Sequence, residues 1–533
     1  MFADVAPMYQ QAYQSYEDTA FSSQYNFFFD EDSFNAECRK IKKLNGKRFI
    51  NLWEKYGNAY SGPYFSKYSQ NFTHKKSQKI ISLGMFLEKF ANVENLDFDY
   101  YFPDDSIYQD LCSTFSKLPK LKKLKVREEF GEKGLNWIKP LSSLEKFSFI
   151  SWNKKKLDLS PTKDLKKLKF LKVKGIKVLE NLDLLPKSII SLDLQDCKIN
   201  STDFLERLEL KKLNLSYTKV SHLPSSQVLS KLEFLDISGT KIYDLSSLKD
   251  NNNLKILNYY CNEKKTRKKT DFYVINTLIN LEELDLSPFP GTNEQFKNAI
   301  ENCTRLRECS VEGPLINDLS PLIGKPLQVL NVSSVFFNNN RDSLEKVLNN
   351  PSLNELIIYV DEDEELEQGF NWNSLSSNIK NITIRDSETF DLNLLPSLQL
   401  EKLHMAKKTK ILHPEKILSY SPTLTELAIN GNYIYFLLNT YGEEVFQNFS
   451  QLKVLKLKLN ENFTSLEFLT HFPALEEVTL NIKNCNESLL DEFFPIFLKM
   501  PNLKKFKVYP SPDFYQKINE LEKKGVPIKI GYY

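Results

Sequence analysis

The chain has 533 residues, 41% hydrophobic and 26% charged, a balance that allows a large buried core and excludes wholesale disorder. Lys and Arg total 71 against 69 Asp and Glu, a formal net charge of +2, so no global field draws the chain to nucleic acid or to a membrane surface. No apolar run reaches the length of a membrane-spanning helix; the greasiest, such as Tyr433–Leu438, is strand-length.

The N-terminus, MFADVAPMYQQAYQSYEDTAF, lacks a basic start and an apolar core, so no secretory signal is expected. Residues 1–90 are read as an aromatic and acidic segment ending in a cap. Tyr9, Tyr13 and Tyr16 fall at helical spacing, Phe27, Phe28 and Phe29 are consecutive, and the first basic residue is Arg39. The segment could seal the apolar end of the region after residue 90, or it could dock on a partner.

From residue 91 to the C-terminus one pattern recurs: apolar, two residues, apolar, one residue, apolar. It starts with VENLDF at Val93 and LKKLKV at Leu121, and continues through LEKFSF at Leu144, LKFLKV at Leu168 and IISLDL at Ile189. LKKLNL at Leu210, LEFLDI at Leu232, LKILNY at Leu254 and LEELDL at Leu281 come next, then looser copies down to LKKFKV at Leu503. About eighteen such units succeed one another at a mean spacing of about 24 residues. Their last two apolar residues alternate with polar ones, the mark of a strand with one buried face. One such strand cannot bury that face alone, whereas stacked copies can.

Eight positions beyond the first apolar residue stand Cys197, Thr218, Thr240, Asn262 and Asn432. With these residues the chain resembles the leucine-rich repeat family, and several units are similar to its short internalin-like or SDS22-like class. The resemblance implies an α/β leucine-rich repeat solenoid, a curved horseshoe with a parallel sheet on the concave face and short helices or 3-10 turns on the convex face. Thr240–Leu248 and Ile316–Leu322 carry that class's DLSxL segment, expected as a 3-10 turn. Longer units have room for a helix, as at Phe493–Met500 and Asp513–Lys523, and Cys309 fills a leucine position. GVPIKIGYY at the C-terminus reads as a last short strand.

The residues between the apolar strand positions point into the inner face, so that face can be read directly. Near its start it is basic, with Lys123, Lys125, Arg127, Lys146, Lys172 and Lys174. Its middle is acidic and small-polar, with Asp193, Asn214, Asp236, Asn258, Asp285, Glu308 and Glu312, although Asp and Asn are common fillers in LDL and LNL cores. Further on come Tyr359, Arg385, His404, Lys456, Lys458, Lys505 and Tyr509. An acidic protein segment is the preferred ligand of the basic cluster; a solvated surface and a nucleic-acid backbone are the alternatives. Two outward loops are further candidates: EKKTRKK, with Lys264, Lys265, Arg267, Lys268 and Lys269, and the acidic DEDEELE at Asp361–Glu367.

No motif for catalysis, metal or cofactor emerges. The five histidines form no ligand set, His404 and His413 lack a third partner, and no Walker loop, GxGxxG or GxSxG occurs. Seven scattered cysteines without a CxxC argue for a reducing compartment. Some microbial leucine-rich effectors carry a ubiquitin ligase domain beyond their repeats; with repeats running to near residue 533, none is expected here. The expected function is therefore a non-catalytic, intracellular scaffold or adaptor that binds another protein through the repeat surface. A bacterial effector acting on a host protein and a nucleic-acid binder using the basic cluster are the alternatives.

Overall fold

The computed structural model describes residues 38–45, 60–61, 71–74, 80–82, 87, 90–98, 111–115, 117–127, 130, 134–151, 155–259, 270–313, 315–333, 336, 341–360, 371–385, 389–406, 409–511, 514, 517–518, 521 and 528–530. The chain divides into two compact units, Met1–Leu278 and Ile279–Tyr533.

In the first unit a parallel sheet takes its strands in chain order. Lys43–Asn45 pairs with Asn95–Phe98, followed by Lys123–Arg127, Lys146–Ile150 and Phe170–Lys174. Ser191–Asp193, Lys212–Asn214, Phe234–Asp236 and Ile256–Asn258 complete it. The register is set by the apolar positions: Leu96, Leu124, Phe147, Leu171 and Leu192 are successive partners and all are buried. A one-residue slip would turn every one of them to water, at roughly 2 kcal/mol per side chain, so the alternation fixes the pairing. The first rung, Lys43–Asn45, lies inside the segment that the sequence reads as a cap. A separate three-stranded antiparallel sheet, Tyr60–Ser61, Asn71–His74 and Ile80–Ser82, belongs to the same segment.

Tyr9, Tyr13, Tyr16 and Phe27–Phe29 lie outside the described residues, but the aromatic rings that follow residue 90 have a structural use. Phe98, Phe115 and Phe130 stack with centroids 5.7–5.9 Å apart, and Trp137 stands 5.2 Å from Phe115 and 6.5 Å from Phe147. These rings fill the core behind the early rungs, in the arrangement that aromatic quadrupoles favour.

The second unit repeats the scheme from Glu283–Asp285 through Lys505–Tyr509, closing on the expected last strand, Ile528–Ile530. Cys309 occupies its leucine slot fully buried, between Leu284 and Leu330. Return segments follow repeat length: rungs roughly 21–22 residues apart are mostly joined by short 3-10 turns, whereas the helices of this unit occupy intervals of roughly 25–28. The DLSxL segments are indeed 3-10 turns, at Ser246–Leu248 and Ser320–Leu322. α-Helices stand at Asn293–Ile300, Arg341–Leu348, Gly431–Tyr441 and Phe493–Lys499. Thus the apolar run Tyr433–Leu438 is helical, with Ile434 and Leu437 turned inward. Residues 513–523 lie largely outside the described residues.

Candidate functional site

Every rung turns alternate side chains away from the core, and this open face carries the candidate residues. In Lys123–Arg127, Leu124 and Val126 are buried while Lys123 is exposed and Lys125 and Arg127 are half-buried. Registration then brings all six predicted cations together on three adjacent strands. Lys123 lies beside Lys146; Lys125 and Lys172 flank Ser148; Arg127 and Lys174 flank Ile150. Carboxylates bound the patch on both sides. Asp97 is the register partner of Lys125, and Asp193 Oδ2 lies 2.6 Å from Lys172 Nζ. The second pairing neutralises one of the six charges. Both side chains stay partly exposed, so the pair stabilises the fold by about 0–1 kcal/mol.

Apolar side chains interleave with these cations, which charge-based reading missed. Ile150 and the exposed Phe170 share the patch, and Phe234 and Ile256 continue the face further along. The available signal was their position in the strand, one place before or after an apolar core residue.

The acidic and small-polar middle has a local explanation. Asp193 Oδ1 accepts from the N–H of Gln195 at 3.1 Å, Asn214 from Ser216 at 2.8 Å, and Asp236 from Ser238 at 3.0 Å. Asp285 does the same for Ser287 at 2.9 Å in the second unit. These Asx turns end each strand and satisfy backbone donors that would otherwise be unpaired. Burial pushes the Asp236 carboxyl up, against the hydrogen bonds from Ser238 and Asn258. One step on, Asp196, Tyr217 and Gly239 adopt left-handed backbone. Then the buried Thr218 and Thr240 hydroxyls donate to the carbonyls of Leu215 and Ile237 at 2.6 and 2.7 Å, and the Cys197 thiol reaches Val173 O at 3.4 Å. Asn262 lies outside the described residues. Asn432 departs from this role, being exposed in helix Gly431–Tyr441, because the longer repeat begins its helix at the turn.

The open face of the second unit is polarised. Glu283 and Glu308 are register partners, and Glu355 lies one strand beyond the intervening Val329. Burial pushes the Glu308 carboxyl up, and the charges of Glu283, Glu355 and Asp285 add to the shift. Further along, Arg385 lies with Cζ 5.2 Å from the Tyr359 ring centroid and donates from Nη1 to Tyr359 Oη at 2.5 Å. His404 Nε2 stands 3.1 Å from Glu426 Oε1, which also receives Lys456 Nζ. Burial pushes the His404 imidazole down despite that carboxylate. Lys505 pairs with Glu477, and Lys507 Nζ lies 4.7 Å over the Tyr509 ring.

One unit recurs in the rungs beginning at Ser191, Lys212 and Phe234: a strand, an Asx turn, a hydroxyl or thiol seated on the turn, and a 3-10 or helical return. The chain is built of leucine-rich repeats. No family model matches it. Toll-like receptor 2 of Ovis aries is 25% identical over 273 residues, covering 49% of this chain and 26% of the receptor, and Toll-like receptor 2 of Capra hircus matches equally. The chain thus spans about a quarter of the length of the curated relatives it matches. Among solved structures, an internalin from Listeria monocytogenes covers 71% of this chain and 95% of its own at 18% identity and a TM-score of 0.32. A leucine-rich repeat protein of Leptospira interrogans covers 96% of this chain and all of its own at 15% identity and a TM-score of 0.34.

His404 and His413 answer to different carboxylates, the latter through Nδ1 to Asp391 Oδ1 at 2.9 Å. Among the described residues no group of three or more potential metal ligands converges, and no helix is long and apolar enough to cross a membrane. Cys38, Cys112, Cys197, Cys303 and Cys309 form no disulfide and are buried, and burial raises the Cys197 and Cys303 thiols to about 11. Such thiols are poor nucleophiles at neutral pH. The loop candidates Lys264, Lys265, Arg267, Lys268 and Lys269, and the acidic run Asp361–Glu367, lie outside the described residues.

Proposed function

We propose that the protein is a non-catalytic scaffold or adaptor that binds another protein through the open faces of its repeats. The basic patch of the first unit, Lys123 to Lys174, is its docking site for an acidic segment. The observation that carries this reading is the register of three adjacent strands, which gathers cations around Ile150 and the exposed Phe170. Clustered cations repel one another, and an acidic ligand relieves that repulsion while burying the apolar side chains between them. The hydrogen-bonded sheet fixes the backbone beforehand, so only side chains need ordering when the ligand arrives.

The test is fluorescence anisotropy of the full chain with a Glu- and Asp-rich peptide containing one aromatic residue. Binding should weaken steeply with salt, and the triple variant Lys123→Glu, Lys146→Glu, Lys174→Glu should lose it by at least about tenfold. Unchanged affinity in the triple variant, or tighter binding of single-stranded RNA than of the peptide, would overturn the assignment.

A further inference from the structure

We propose that the open face of the second unit, Ile279–Tyr533, docks an extended polypeptide segment of bipolar charge. Its cationic end would lie over the rungs from Glu283–Asp285 to Glu355–Tyr359, and its anionic end over those from Asn381–Arg385 to Lys505–Tyr509. This deepens the reading of the repeats as protein-binding surfaces, and it concerns a different surface from the basic patch of the first unit.

Two features of that face carry the proposal. The first is its charge order. At the start of the unit, Glu283, Asp285, Glu308 and Glu355 occupy open-face positions, and no Lys or Arg does so in those strands. From Arg385 onward the sign reverses. The carboxylates there, Glu426 and Glu477, are engaged by Lys456 and Lys505, so the excess positive charge rests on Arg385, Lys402, Lys458 and Lys507. A partner of uniform charge is attracted at one end and repelled at the other; a bipolar one is attracted at both.

The second feature is relief. Each rung offers a middle open-face residue, and from Asn331 on this row alternates in bulk: Asn331, Thr383, Ala428 and Thr479 are small, and Ile357, His404, Lys456 and Lys507 stand between and after them. Longer side chains flank it, with Glu308, Glu355 and Lys402 on one side and Tyr359, Arg385 and Lys458 on the other. The row leaves a recess at every second rung from Asn331 to Thr479. With strands about 4.8 Å apart it runs about 40 Å, the length of roughly a dozen extended residues.

Three synthetic peptides test this by fluorescence anisotropy: a Lys block joined to a Glu block by a Gly-Ser spacer, an all-Lys peptide and an all-Glu peptide. The full chain is used in the Lys123→Glu, Lys146→Glu, Lys174→Glu background, so that the first unit does not capture the anionic peptides. The bipolar peptide should bind at least about fivefold more tightly than either uniform one. Glu283→Lys with Glu355→Lys should shift the preference to all-Glu, and Lys458→Glu with Lys507→Glu should shift it to all-Lys. These gains also report that each variant is folded. Combining the four substitutions merely reverses the polarity and should restore bipolar binding. Equal binding of bipolar and uniform peptides, no shift on reversing either end, or no recovery in the combined variant would each overturn the proposal. Because the first-unit patch is already disabled, such a failure leaves the acidic-segment experiment unaffected.

Discussion

Lys325 aims its ammonium into the end of helix Asn293–Ile300, donating to the carbonyl of Ile300 at 2.8 Å. Longer contacts of 3.3 Å reach the carbonyls of Glu301 and Cys303. The side chain comes from the following repeat and is buried, so one cation neutralises the helix's negative end and ties two repeats together. Burial pushes its pKa down, and the three carbonyls stand in for the water that the ammonium has lost. Replacing it by Met keeps the bulk and removes the donor. Lys325→Met should destabilise the fold by about 1–3 kcal/mol, measured by urea denaturation. An unchanged denaturation midpoint would show that the hydrogen bonds contribute nothing net.

Gly239 and Tyr217 make a second link between repeats. Gly239 has φ +70°, and a Cβ placed there would lie 2.7 Å from Tyr217 Cδ1. Tyr217 is half exposed and can swing aside, whereas the backbone angle cannot relax without breaking the turn. Gly239→Ala should therefore cost about 1–2 kcal/mol, most of it conformational. In a Tyr217→Ala background the penalty should shrink only slightly; its disappearance would make the contact, not the φ angle, the cause.

Glu308 predicts a pH dependence. Its folded pKa is raised, first by burial and then by Glu283, Glu355 and Asp285. Between the ordinary glutamate value and the raised one, the folded state holds more proton than the unfolded state, so stability falls as pH rises through that window. Glu308→Gln removes this loss. The variant should match the parent in acid and melt higher at neutral pH, as thermal unfolding across about pH 4 to 8 will read. A variant no more stable at neutral pH would contradict the electrostatic reading.

Asp193 restrains the basic patch through Lys172 while its other oxygen holds the turn at Gln195. Asn keeps the turn oxygen and discards the charge. Asp193→Asn should change stability by less than about 1 kcal/mol and tighten binding of the acidic peptide about two- to fivefold. Weaker binding would mean that the carboxylate orders Lys172 for the ligand and does not compete with it.

What the sequence by itself determined was the rung. Leu124, Leu171 and Leu192 recur because each must meet its equivalent one repeat away, and that requirement is written into every copy as a period of two within a longer period. The same logic made the open-face positions of the basic patch legible, since a side chain next to a buried one in a strand must point outward. Lys43–Asn45 escaped because its repeat is separated from the next rung by an unusually long insertion containing its own sheet. The helical fate of Tyr433–Leu438 was hidden because a short apolar run fits strand and helix alike.

Tertiary structure alone decided the charge pairing. Lys172 with Asp193, Arg385 with Tyr359, and Lys456 with Glu426 stand 21, 26 and 30 residues apart. Repeats of unequal length give no fixed offset by which such partners could be matched in advance. Only hydrogen-bonded registration across neighbouring strands turns a set of outward residues into a patch with neutralised edges, and only burial against those neighbours separates a turn-forming carboxylate from one left to meet a ligand.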